Sequence, residues 1–143
     1  MSADGQQPAE RLVARTRAII GTDNFRVAIK AGRHDLVADE PPALGGQGTG
    51  PSPYEYLLSG LGACTAITLR MYAERKNWDL RHVEVSMRLV TTGTTQRIDR
   101  TILLEGDLTH EQRARLADIA ERTPVTLTLK NGVEIATSLQ PGS

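Results

Sequence analysis

The chain carries a single thiol, Cys64, and it lies within the longest apolar stretch of its 143 residues, Pro53 to Ile67. A cysteine of this kind is either a small hydrophobe in a core or a nucleophile that attacks peroxides, disulfides or carbonyls as the thiolate. One cysteine cannot close an internal disulfide, so any redox cycle at Cys64 needs a thiol from outside the chain. Position offers little help to a thiolate. Cys64 stands twelve residues beyond Ser52, where a helix start is signalled, and that is about 18 Å along a helix axis, too far for the positive end of its own helix to act on the sulfur. A cation or hydrogen-bond donor from another element is required.

The other candidates have competing structural explanations. His34, His82 and His110 show no i,i+4 pair, and one cysteine cannot join a multi-thiolate set, so neither a metal nor a cofactor is expected. Asp39-Glu40 before Pro41 could bind a cation or hold a loop. Glu55 could serve as a base beside the thiol, or as the third helical residue of a capping box. The glycines between Gly45 and Gly50 loosely suggest a phosphate loop, but they lack its lysine and follow prolines.

Several elements must place these groups. Near-alternation over Arg11 to Ile20 and over Phe25 to Lys30 predicts two strands joined around Gly21 to Asn24, with His34 to Asp39 as a third. Glu40 to Pro51 is rich in proline and glycine, which predicts a long ordered loop or a mobile lid. Ser52, Pro53 and Glu55 then carry the cap, first-turn proline and capping-box acid of a helix running to about Asn77. Its first half is apolar nearly all round. Burial on most sides is expected there, with Ser59, Gly60, Gly62 and Ala63 allowing close approach of another helix. Val83 to Leu89 and Ile98 to Leu104 predict a hairpin, and Thr109 with Gln112 opens a further capped helix ending near Arg122. The tail is open between two readings: a hairpin turning at Asn131-Gly132, or a short helix begun by Thr123-Pro124, stopped at Gly132 and followed by one strand.

Composition narrows the function classes. Basic and acidic residues balance at 17 each without a basic stripe, so no nucleic-acid partner is expected. The polar opening, Met1 to Pro8, lacks the apolar core of a signal peptide, and no apolar run could span a bilayer. A cytoplasmic location with reduced thiols is expected. Aromatic residues make up only 3% of the chain, which favours completing the core against a second subunit.

Read together, Asp39-Glu40-Pro41, Gly45-Gly46, the run Gly50 to Leu58 and the run Leu61 to Ala73 resemble the OsmC/Ohr family of osmotically inducible proteins and organic hydroperoxide reductases. The likeness continues through Gly106-Asp107-Leu108 and Ala120 to Val125 to Ala136-Thr137, covering about Phe25 to Leu139. It implies an α+β fold in which antiparallel sheets wrap a long buried central helix, in an intertwined homodimer. Residues 1–10 are then expected to be disordered and 11–143 to form one OsmC-like domain. The resemblance favours the short helix at Thr123-Pro124. It also implies chemistry: Cys64 matches the cysteine that a hydroperoxide oxidises to a sulfenic acid.

Three family positions differ. Thr123 stands where the family's second cysteine opens its motif, and Tyr54 stands ten residues before Cys64 where the reductases carry a glutamate, with Glu55 one place off. The family's thiolate-holding arginine belongs to the first hairpin turn, near Thr22-Asp23, and Arg26 and Arg33 are the nearest substitutes. Two functions are expected from this pattern. In one, Cys64, aided by Arg26 or Arg33, reduces a small organic hydroperoxide with an external thiol as reductant, in an oxidative-stress response. In the other, a non-catalytic dimer binds a small apolar or acyl ligand in an interface pocket, with Cys64 as lining.

Overall fold

The structure, a computed structural model, describes residue 5 and residues 7–142. Half of the expected disordered segment, residues 1–4 and 6, therefore lies outside the described residues, and residues 7–15 are exposed and without regular structure. The chain divides into two compact units, Met1–Pro53 and Tyr54–Ser143.

The first unit is an antiparallel sheet in the order β1 (Thr16–Ile20), β2 (Val27–Ala31), β3 (His34–Ala38). Ile19 pairs with Ala28, and Ala28 with Val37. The three strands match the expected segments, except that the first is confined to the second half of Arg11–Ile20. Beyond β3 the chain forms an ordered loop rather than a loose lid. Asp39, 2% exposed, fills its centre. Its Oδ1 accepts from the amides of Glu40 at 2.7 Å and Phe25 at 3.2 Å, and Oδ2 accepts from the Thr49 hydroxyl at 2.6 Å and the Thr49 amide at 3.1 Å. The glycine-rich segment thus gathers its donors around its own carboxylate. Gly46 is required by close approach, since a Cβ there would collide with the Glu40 carbonyl.

The second unit is built on α1 (Pro53–Lys76), the hairpin of β4 (Asp79–Thr92) and β5 (Thr95–Asp107), and two short helices, α2 (His110–Ala120) and α3 (Pro124–Asn131). Helix α1 starts at the expected proline and ends before Asn77, whose φ of 57° gives the left-handed stop. In α2 both halves of the Thr109–Gln112 capping box are formed. Leu69, Ala73, Leu80, Leu116 and Ala120 make the core, with Trp78, Val83, Ile102 and Leu104 packed around it. Leu69 and Leu116 are fully buried, each contributing about 1.5–3 kcal/mol by removal from water.

Two expectations need correction within this chain. The first half of α1 is buried on one face only: Leu61, Gly62 and Thr65 point inward, whereas Ser59, Gly60, Ala63 and Ile67 are exposed. A two-stranded sheet covers one side of a helix, and the small residue it demands is Gly62, where a Cβ would press on the Met87 side chain of β4. The tail forms α3 and no final strand among the described residues. Val133, Ile135 and Leu139 are exposed, because a strand needs a neighbouring edge to take its amides and this segment is paired to none.

The donors around Asp39 favour its ionised form, the Thr49 hydroxyl most strongly, and hold its carboxyl well below the usual range. A depressed carboxylate contributes stability that is complete above the unfolded value of about 4 and is lost as pH falls further. Proteolysis within residues 40–51 is therefore expected to rise below about pH 4 in the native chain. Asp39→Asn, which turns one acceptor into a donor facing Thr49, should show that sensitivity already at pH 7; equal resistance of the two proteins would contradict the role given to Asp39.

Candidate functional site

Cys64 is half-buried on α1 as an unpaired thiol. Its hydrogen-bond partner comes from α3. Thr123 is the N-cap of that helix and Pro124 its first residue, so the first N–H the helix presents belongs to Val125. That amide donates to Cys64 Sγ at 3.4 Å. The N-terminus of a helix carries roughly half a positive charge, and a donor directed at sulfur interacts more strongly with an anion than with a neutral thiol. The donor required from another element is thus a backbone amide.

A hydroxyl and guanidinium network surrounds this contact. Thr65, the residue after Cys64, is buried and donates to the Leu61 carbonyl at 2.7 Å. Arg100, on the inward side of β5, donates through Nη1 to Thr65 Oγ1 at 3.0 Å and Thr126 Oγ1 at 2.9 Å, and through Nη2 to the Ala120 carbonyl at 2.8 Å. Thr123 and Thr126 hydroxyls pair at 2.7 Å. At the rim, Glu121 lies 3.8 Å from Arg100 and 2.7 Å from Lys130. Its carboxyl is held below its ordinary value, first by the Lys130 hydrogen bond and more weakly by the charge of Arg100.

Alongside lies an open groove of about 560 Å³ whose lining includes Tyr54, Leu57, Leu61, Ile98 and Leu129. Leu57, Leu61 and Cys64 occupy positions i, i+4 and i+7 of α1, so groove and thiol share a helix face. Tyr54 is exposed at its end. Glu55 lies in the first turn of α1. The two arginines singled out from the sequence belong to the first unit, Arg26 just before β2 and Arg33 in the turn between β2 and β3, as does Glu40, whose carbonyl accepts from Gly48 N at 3.1 Å. Among the described residues, no His, Cys, Asp and Glu side chains cluster to hold a metal ion.

A family model described as OsmC-like protein matches residues 46–138, more than half of the chain. The chain belongs to the OsmC-like family. Comparison with curated proteins gave no significant match. Among solved structures, an OsmC-like protein from Mycoplasma pneumoniae superposes with a TM-score of 0.70 at 20% identity, over 85% of this chain and 89% of that one. An organic hydroperoxide resistance protein OsmC from Legionella pneumophila gives 0.63 at 20%, over 85% and 92%. The organic hydroperoxide resistance protein OhrB of Bacillus subtilis gives 0.57 at 24%, over 84% and 93%. At these identities the likeness is one of fold, and it agrees with the mixed α and antiparallel β architecture.

Within this OsmC-like chain, sequence reasoning singled out Cys64 and Thr123 but missed Thr65, Arg100, Thr126 and the Val125 amide. Arg100 carried a signal: it interrupts the inward stripe Ile98, Ile102, Leu104 of β5. The resemblance assigns the second-cysteine place to Thr123, which is buried at the start of the helix whose amide meets Cys64. Thr123→Cys is accordingly expected to yield an internal disulfide after one equivalent of organic hydroperoxide, seen as a loss of two hydrogens by intact-mass measurement. Accumulation of a stable sulfenic acid in that variant would count against the placement.

Proposed function

We propose that this OsmC-like protein is a thiol-dependent organic hydroperoxide reductase, homodimeric and cytoplasmic, with Cys64 as its nucleophile. The observation that carries the reading is the Val125 N–H directed at Cys64 Sγ from the start of α3. The thiolate attacks one peroxide oxygen, the O–O bond breaks, and the departing alkoxide takes a proton to leave as the alcohol; sulfur retains the oxygen as a sulfenic acid. Thr123 offers no thiol to condense with it. One external thiol displaces water to form a mixed disulfide, and a second releases Cys64 and leaves as the external disulfide. Arg26 or Arg33 is proposed as a further stabiliser of the thiolate. Glu55 and Tyr54 are assigned to the surroundings of the site rather than to the reaction, and Glu40 to its own loop. The exposed row Ala63, Ile67 and Met71 along α1 supports a subunit interface.

A second reading has one observation in its favour. The groove beside Tyr54 is lined by Leu57, Leu61, Leu89, Ile98 and Leu129 together with polar groups that include Arg97, Arg100 and Lys130, a mixed lining that a dimer could use to hold a small apolar or acyl ligand without reacting with it.

Stopped-flow oxidation by cumene hydroperoxide separates the two. Wild type should react at least about tenfold faster than free cysteine, the gain expected of one hydrogen bond to a charged group, and give a sulfenic acid detectable by mass. Cys64→Ser should be inert. A wild-type rate no greater than that of free cysteine would leave the binding reading in possession.

A further inference from the structure

We propose that Arg100 is the positioning residue of the Cys64 site, acting by clamping the two elements that bring the Val125 amide onto the sulfur. The inference rests on the reading of Cys64 as nucleophile and adds a residue that the resemblance does not assign. Arg100 stands in the inward stripe of β5, with its side chain only 12% exposed. A buried guanidinium is unfavourable unless its donors are met, and an apolar side chain of similar size would pack there with less penalty. Its carboxylate partner, Glu121, is at 3.8 Å and mostly exposed, so pairing with a compensating charge does not explain the burial.

Its acceptors do. Thr65 adjoins Cys64 on α1, and Thr126, joined to Thr123, flanks Val125 on α3. One guanidinium therefore grips both sides of the Val125 N–H···Sγ contact, while Nη2 fixes the end of α2 through the Ala120 carbonyl. None of the Arg100 hydrogen bonds reaches the sulfur, which distinguishes the residue from an arginine that pairs directly with a thiolate. The planar fork matters as much as the charge, because its two separated nitrogens reach acceptors on three elements, whereas an ammonium donates from a single point.

The test uses the full chain with Arg100→Lys, Arg100→Met and Thr126→Val, each checked for folding by circular dichroism. Two quantities are read in each: the second-order rate of Cys64 with cumene hydroperoxide, and the change in the Val125 amide resonance on adding Cys64→Ser. In folded Arg100→Lys and Thr126→Val the rate is expected to fall about tenfold or more, the loss of one hydrogen bond to a charged group, and the Val125 response to vanish. Arg100→Lys with wild-type rate and response would overturn the clamp, since charge alone would then suffice. Loss of the response without loss of rate would overturn it equally. If Arg100→Met does not fold, the other two variants decide. A wild type no faster than free cysteine sinks the peroxidase reading alone; the Val125 response then still judges Arg100, its loss supporting the clamp and its persistence overturning it.

Discussion

Helix α3 begins with a proline, and a helix start must find acceptors for the amides it leaves unpaired. Pro124 has no N–H, so the first donor to be satisfied is that of Val125, and its acceptor is the sulfur of Cys64, 61 residues earlier in the chain. Much of the second unit is explained by the need to keep those two atoms together. Thr123 must lie extended as N-cap to turn the chain into α3. Gly62 must bring α1 close to β4 so that Cys64, two residues on, faces α3 instead of the sheet. The core leucines Leu69 and Leu116 fix α1 and α2 against the hairpin from which Arg100 reaches across.

Polar groups near the thiol are matched to one another with little left over. The side-chain nitrogens and oxygens that are buried among the described residues all have partners. Around Cys64 this is achieved by hydroxyls, from Thr65, Thr123 and Thr126, with one guanidinium between them. Such a network holds its geometry because removing any member strands a buried donor or acceptor. It also bears on the proposed chemistry: a hydroxyl at position 123 can neither attack nor release a sulfenic acid, so in the proposed cycle an oxidised sulfur would have to be reached by a thiol from solution. The half-buried setting of Cys64 is compatible with that access.

The sequence was most legible where one short segment carried the whole instruction. Ser52-Pro53 and Thr109 with Gln112 marked the starts of α1 and α2, and clean alternation over Val83 to Leu89 marked β4, with Ile98 to Leu104 as its partner in β5. Cys64 was legible by being unique. The stretch 124–131 was not, because Val125 to Leu129 alternates as a strand would while Thr123-Pro124 and Gly132 bracket a helix; the proline and the absence of a paired edge decide for the helix. One-sided burial of α1 was hidden because an apolar helix reads alike whether its outer face meets this chain or nothing within it. Arg100 was passed over because local pattern shows a charge out of place but not what it will meet; its acceptors lie 35, 26 and 20 residues away.

If the start of α3 serves the chemistry of Cys64, oxidation of the sulfur must be felt at the Val125 amide, and a single titration can show it. Isotope-labelled protein is treated with one equivalent of cumene hydroperoxide while the Val125 amide resonance and the intact mass are followed together, and a thiol is then added. The Val125 resonance is expected to move in step with the appearance of a Cys64 product one oxygen heavier, and to return when the thiol restores the original mass. Oxidation of Cys64 that leaves the Val125 resonance in place would contradict it, as would a thiol that stays unoxidised throughout.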